Sequence, residues 1–412
     1  MDTMPTSRDA ALKRRAAAVI PGGMWGHQRI GILPEGYPQF FARGRGCRIW
    51  DVDGREYIDF MCSWGPILLG HQDPDVDAAA RAQQAEGDCM NGPSARLVEL
   101  AELLVATIPH ADWATFSKNG SDATTACVTI ARAATGRRKI LVARGAYHGA
   151  TPWFSPYPQG MTAEDRAHFL FYEYNDADSL AAAADEAGSD LAGILASAFR
   201  HDGRRDHELP TRDFALAARA ICDRSGAALI VDDVRAGFRL HRGGSWELVG
   251  VRPDLSAWSK AIANGYALAA VTGGDAFRDA ARDVFMTGSF WTASTSMAAA
   301  LATLAKLDAV DGVAHLRAMG ERLRSGLEAQ ARGRGIALRQ SGPPQLPLVL
   351  FENDPEQKLG FLFCAEALKR GVYLHPTHTM FLSVAHTASD IDRALEATDG
   401  AFEVVAAAAG WR

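Results

Sequence analysis

Cysteine is scarce in this chain and forms no pattern. The six, at positions 47, 62, 89, 127, 222 and 364, include no CxxC pair. That excludes a disulfide-stapled secreted scaffold, and the thiols read as buried and free in a reducing compartment, which places the protein in the cytoplasm. His201 and His207 flank an arginine-rich, acidic loop, but neither Cys/His nor HExxH ligand spacing occurs, so no metal is expected. No apolar run is long enough to span a bilayer. The opening MDTMPTSRDAALKRRAAAVIPGG lacks the apolar core and cleavage site of a signal peptide. Basic charge is not in excess: 43 Lys and Arg stand against 49 Asp and Glu, a formal net charge of -6. That argues against nucleic acid or an anionic membrane as a partner. Arg43-Gly44-Arg45-Gly46 is not a dinucleotide fingerprint, because the third glycine is missing and no helix pattern follows.

What is present is an ordinary globular composition, 48% hydrophobic and 22% charged over 412 residues, enough for two or three folding units. Residues 8–20 suggest a short helix ended by Pro21-Gly22-Gly23. Residues 47–50 and 57–60 read as a hairpin around Asp53-Gly54. From residue 75 onward, helix-like segments (75–85, 95–107, 121–135, 211–224) alternate with apolar runs at 139–143, 191–196, 227–231 and 255–258. This alternation predicts an α/β fold, a mainly parallel sheet with helices on both faces that binds ligands at the carboxyl ends of its strands. A helix over 315–334 and mixed pieces after it predict a smaller α+β domain. The expected division is an N-terminal segment 1–65 that packs with the small domain, a large domain 66–310 and a C-terminal small domain 311–412.

The run 255–274 reads LSAWSKAIANGYALAAVTGG, and Lys260 is its only charge. Burying an ammonium ion is costly, so the pKa falls and the amine becomes a nucleophile able to form a Schiff base. By itself Lys260 reads more simply as a lysine snorkelling from the end of a core strand. Three further features fall where strands end or helices begin. Asn119-Gly120-Ser121-Asp122 opens a helix, whose free N–H groups and dipole suit a phosphate, although Ser121 alone reads as a plain N-cap. Tyr147-His148-Gly149 follows the run 139–143 and offers an aromatic face for a flat ring, or a core tyrosine. Asp232-Asp233 ends the run 227–231, where a buried carboxylate must be paired; a protonated pyridine nitrogen is one partner, and a helix-capping or loop aspartate is an equal alternative. Phosphate cradle, ring stacker, acid for a ring nitrogen and Schiff-base lysine, in that order, match the needs of pyridoxal 5′-phosphate.

At these residues the sequence resembles the class III (fold type I) pyridoxal-phosphate aminotransferases, within them the glutamate-1-semialdehyde aminomutase branch, and more closely the fumonisin-detoxifying aminotransferases. The likeness runs nearly end to end. It includes Trp50-Asp51-Val52-Asp53-Gly54, Ser63-Trp64-Gly65-Pro66, Leu69-Gly70-His71 and the stretches GAYHGA, VDDVRAGFR, TGSFW and HPTHTMFLS. The resemblance implies that Lys260 holds the cofactor covalently and moves protons, that Asp232 binds the pyridine nitrogen, and that Tyr147 and Val234 cover the two faces of the ring. It also implies cofactor contacts from Asn119, Gly120, Ser121 and His148. Ser289, with Thr292 as the next hydroxyl, matches the position from which a second subunit reaches the phosphate. A homodimer with a composite active site follows from that.

The chain departs from the family at Ser197-Ala198, where Glu-Pro is usual, and at Asp233 in place of Glu. Arg29 matches an arginine that holds a substrate carboxylate in the aminomutases, with Arg200 and Arg235 as further candidates. Trp25, Trp64 and Trp291 would give the substrate pocket apolar walls. The expected activity is transfer of an amino group from a hydrophobic amine to a keto acid such as pyruvate. The rivals are an aminomutase, a β-amino-acid aminotransferase, a racemase or a cofactor-binding module without catalysis.

Overall fold

The computed structural model describes residues 7–155 and 159–409. The chain divides into two compact units. The larger comprises Gly65–Leu68 and Pro74–Arg317, and the smaller comprises Met1–Trp64, Leu69–Asp73 and Ala318–Arg412.

A seven-stranded sheet forms the larger unit. In spatial order its strands are Trp113–Ser117, Ala269–Gly273, Leu255–Trp258, Ala228–Asp232, Leu191–Ser197, Lys139–Ala143 and Phe169–Tyr172. Only Ala269–Gly273 runs against its neighbours. Four of the strands fall on the four predicted apolar runs. The other three escape the sequence pattern: two lie at the sheet edges, and Ala269–Gly273 is merged by its apolar composition with the strand before it.

Alternate residues of one strand point to opposite faces, and both faces are covered. Ile140, Leu195, Ile230 and Ala257 pack under Ala123, Cys127 and Ile130 of the helix Gly120–Thr135. Leu141, Ile194, Leu229 and Val231 pack under Leu180 of the helix Ala177–Ala187 and under Phe214, Ala218 and Ile221 of the helix Arg212–Ser225. Each fully buried aliphatic side chain contributes about 1.5–3 kcal/mol. The parallel register sets Ser197 beside Asp232 and Asp232 beside Ala257, so neighbouring strands deliver their carboxyl ends to one edge.

In the smaller unit Phe41–Arg45, Arg48–Asp51 and Glu56–Asp59 form an antiparallel meander, and Val372–Tyr373 adds a parallel strand beside Glu56–Asp59. Gly54, at φ 89°, turns the predicted hairpin. Phe351, Phe363 and Phe402 cluster in its core. Five of the cysteines are buried as expected, but Cys89 is exposed. It lies in the loop that follows the helix Pro74–Glu86, where the chain turns through Gly87 at φ 126°.

Trp258 anchors the strand that precedes Lys260. It is fully buried, its ring lies 4.9 Å from that of Phe238, and its Nε1 donates to Thr272 Oγ1 at 2.8 Å. Gly237 accommodates it, because a Cβ there would come within 2.7 Å of the indole. Trp258→Ala is therefore expected to lower the unfolding free energy of the cofactor-free protein by about 3–5 kcal/mol. Trp258→Phe, which strands the Thr272 hydroxyl and leaves part of the indole's space empty, should cost less, about 1–3 kcal/mol. Urea unfolding monitored by circular dichroism measures both.

Candidate active site

Beyond Trp258 the backbone turns sharply. Lys260 begins a short 3-10 turn, Lys260–Ala263, at φ 48°. A long side chain in the left-handed region costs about 1–2 kcal/mol, and such outliers cluster at functional sites. Ala261, Ile262 and Ala263 behind it are fully buried. Burial brings the Lys260 amine down to about 7; the positive charges of Arg235 and Arg239 push the same way, and Asp232 opposes them. Near neutrality the amine is thus divided between its nucleophilic and its protonated form.

Asp232 closes the neighbouring strand. Its Oδ1 accepts from the Val234 amide at 3.0 Å, and its Oδ2 accepts from His148 Nδ1 at 2.7 Å. The imidazole is wholly buried, and its Nε2 finds no hydrogen-bond partner among the described residues. His148 therefore orients the carboxylate from behind.

The helix Gly120–Thr135 starts at the same edge. Asp122 reaches back to accept from the Asn119 amide at 2.8 Å, fixing the first turn, whose leading N–H groups have no acceptor within the helix. A Cβ on Gly120 would lie 2.6 Å from Val234 Cγ1. One on Gly149, at φ 133°, would lie 2.7 Å from Ser121 Oγ. The two glycines thus let the helix start, Val234 and the Tyr147-His148-Gly149 turn close on one another. Ser121 Oγ accepts from the Ala150 amide at 3.0 Å, and Thr124 Oγ1 donates to the His148 carbonyl at 2.6 Å.

These groups enclose a cavity of about 370 Å³. Lys260, Asp232, Tyr147 and His148 line it, as do Asn119, Gly120, Ser121 and Val234. Tyr147 leaves 44% of its surface uncovered there. Arg235 lines it too, whereas Arg200 pairs with Glu208 at 2.5 Å and does not. Lys118, Thr124 and Tyr266 also line it without a signal in the sequence, as does His201, which the sequence offered only as a poor metal-ligand candidate. Thr124 was accessible to reasoning, since it lies one helical turn from Gly120. His201 and Tyr266 arrive by tertiary folding alone.

Ser289 and Thr292 occupy the turn 289–292, where Ser289 is exposed, and neither lines the cavity of its own chain. Trp291 folds back over Gly288. In the smaller unit Trp25 and Arg29 are exposed, and Trp64, at φ 65°, packs edge-on against His375 and His378. The family glutamate position holds Ser197, a buried residue whose carbonyl accepts from Tyr174 Oη at 3.1 Å. Asp233 is also buried: its Oδ2 accepts from the Ser245 amide at 2.9 Å, and desolvation lifts its pKa to about 6.

The arrangement fits pyridoxal 5′-phosphate. The lining offers a carboxylate that could pair with a ring nitrogen, an aromatic side chain and a valine that could cover the ring, a glycine-cradled helix start that could hold the phosphate, and a low-pKa amine that could take the aldehyde.

Comparison with known proteins agrees. The family model described as aminotransferase class-III matches residues 33–399. The aminopentol aminotransferase of Sphingopyxis macrogoltabida is 50% identical over 97% of this chain and 94% of its own length. The glutamate-1-semialdehyde 2,1-aminomutase of Nitrosomonas europaea is 30% identical over 96% of this chain and 97% of its own. The FumI protein of Sphingopyxis sp. MTA144, solved in its PLP internal aldimine form, superposes with a TM-score of 0.95 at 50% identity, covering 97% of this chain and 96% of that one. Site geometry and kinship converge: the chain belongs to the class-III aminotransferases, enzymes of fold type I that depend on pyridoxal phosphate.

Proposed function

We propose that the protein transfers an amino group from a hydrophobic or long-chain amine, in the manner of an ω-transaminase, to pyruvate. The observation that carries the reading is the Lys260 amine, held near a pKa of about 7 in the same cavity as Asp232. The name aminopentol aminotransferase, borne by a relative at 50% identity, supports an amine donor.

The cofactor supplies an electron sink that lets a C–H bond beside the amine nitrogen ionise. The chain does the rest. Lys260 Nζ would hold the aldehyde end and, once displaced by the incoming amine, would take the proton from the carbon beside the amine nitrogen and deliver it to the carbon on the other side of that nitrogen. Asp232, oriented by His148, keeps the ring nitrogen cationic. The Gly120 and Ser121 amides would hold the phosphate, and Tyr147 and Val234 would cover the two faces of the ring. We assign Ser289, with Thr292 beside it, to the phosphate of a second copy in a homodimer. Support comes from Phe285 and Phe290, which flank Ser289 and are 92% and 66% exposed, an apolar surface suited to cover by a partner. Trp25, Trp64 and Trp291 are assigned to the apolar body of the amine, and Arg29 to a carboxylate on donors that carry one. The composition supports a cytoplasmic reaction.

Lys260→Ala should lower turnover at least about 10²–10⁴-fold and remove the absorbance band at about 420 nm that the loaded lysine produces. Steady-state assays and a visible spectrum decide; a yellow, active variant would refute the assignment.

The depressed Lys260 pKa gives a pH signature. Only the neutral amine captures the cofactor, so capture by cofactor-free protein should accelerate about tenfold per pH unit below about 7 and level off above it. Between that value and the ordinary lysine pKa the unfolded chain binds more protons than the folded one, so stability rises with pH in this window. Lys260→Met should flatten that rise in urea titrations.

An amine panel separates transfer from rearrangement within one substrate, the reading favoured by the 30% identity to an aminomutase. Amines lacking a carboxylate should be consumed only when pyruvate is present. Consumption without any keto acid, with the amino group retained on the product, would establish the aminomutase instead.

A further inference from the structure

A phosphate ester carries about −1.5 to −2 charges near neutrality. The start of the helix Gly120–Thr135 answers with only about half a positive charge from its dipole. The Ser289 hydroxyl assigned to a second subunit adds none. Enclosing an anion is costly unless a cation receives it, so the helix start by itself leaves the phosphate under-compensated.

Three lysine or arginine side chains line the cavity: Lys118, Lys260 and Arg235. Lys260 is committed to the aldehyde, and the charge of Arg235 acts on Lys260, Tyr147 and Asp232, around the ring. Lys118 stands at the phosphate end. It immediately precedes Asn119, the cap of the helix, and Asp122 ties it to the first turn. Asp122 Oδ2 accepts from the Lys118 amide at 3.3 Å as well as from the Asn119 amide at 2.8 Å. The Lys118 ammonium donates to the Ala267 carbonyl at 3.0 Å and to Ser296 Oγ at 3.2 Å. Ala267 lines the cavity too, so Nζ is held at its wall. Both acceptors are neutral, and an ammonium has a further N–H to give. Among the described residues no carboxylate forms an ion pair with it. Asp88 acts on it by charge, but Asp88 Oδ1 accepts from the Thr295 amide at 2.8 Å. Burial lowers the Lys118 pKa, with Asp88 and Cys89 opposing, as befits a cation set in a wall without an anion of its own.

We propose that Lys118 is the counter-charge of the cofactor's phosphate and decides how firmly this protein keeps its cofactor between half-reactions. In the pyridoxamine form no bond to Lys260 retains the cofactor, so retention falls to contacts at the phosphate and the ring. The inference rests on the phosphate lying at Gly120 and Ser121, as assigned above.

The test titrates cofactor-free protein with pyridoxal 5′-phosphate and with pyridoxal, which lacks the phosphate, and reads both affinities from the band at about 420 nm. Their ratio cancels any loss common to the two ligands. In Lys118→Met the ratio should fall about 10–100-fold, the loss expected for a hydrogen bond to a charged group. Pyridoxamine 5′-phosphate should leave that variant faster by a similar factor, measured by ultrafiltration. Lys118→Arg should keep most of the ratio. An unchanged ratio in Lys118→Met, or affinities for the two ligands that fall equally, would overturn the proposal. Gly120→Ala probes the placement beneath it, because the added Cβ would come within 2.6 Å of Val234 Cγ1 and crowd the helix start. A ratio lowered by Gly120→Ala but not by Lys118→Met would leave the phosphate where it is assigned and remove Lys118 from it. A ratio lowered by neither would sink the phosphate site itself. Wild-type protein supplies a readout independent of how the variants fold. Inorganic phosphate should slow acetic anhydride labelling of Lys118 in the cofactor-free protein relative to the exposed Lys358, mapped by peptide mass spectrometry. Labelling of Lys118 that phosphate leaves unchanged would overturn the proposal as well.

Discussion

Everything in the site is arranged around one carboxylate kept in a nearly closed space. Asp232 sits at a strand end with a backbone amide on one oxygen and a buried imidazole on the other. Both partners donate to it from behind, which fixes the carboxylate at the wall of the cavity. The sheet register makes this possible: Asp232 lies level with Ala257, and Lys260 follows three residues later through a backbone turn that an ordinary residue avoids. An acid and an amine thus share one cavity without any short loop joining them.

Much of that was legible in the chain. A lone lysine in an otherwise uncharged run, an aspartate closing a buried strand and an Asn-Gly-Ser-Asp helix start are local signals with local physics behind them. Pairings made by folding were not legible. His148 and Asp232 are 84 residues apart, and nothing in either neighbourhood announces the contact. Lys118 reads as an ordinary charge at a strand end until Ala267 and Ser296 arrive from 149 and 178 residues away. The edge strands Trp113–Ser117 and Phe169–Tyr172 were missed for a related reason: they are short, and partly exposed residues dilute their apolar pattern. Ala269–Gly273 reverses direction inside a stretch whose composition never changes.

The two departures from the family pattern have different physical characters. Ser197 substitutes a small neutral group at a fully enclosed position, where its backbone carbonyl serves two aromatic donors, Tyr174 and Trp246. Asp233 keeps the acid but shortens it. The space around it is tight: a Cβ on Gly244 would come 3.4 Å from Asp233 Oδ2, and one on Gly237 would come 2.8 Å from the Asp233 carbonyl. Two glycines and a short acid are mutually consistent choices there, since each leaves room that the others use.

The smaller unit draws on both termini, because Val372–Tyr373 lies beside Glu56–Asp59. During synthesis the earlier strand therefore emerges long before the later one. At about 5–20 residues per second, roughly 300 intervening residues amount to ~15–60 s in which the first three strands present an open backbone edge. The larger unit, almost continuous in the chain, can assemble during that interval. A product truncated before Val372 would therefore carry every residue of the cavity lining and still leave the Glu56–Asp59 edge unpaired.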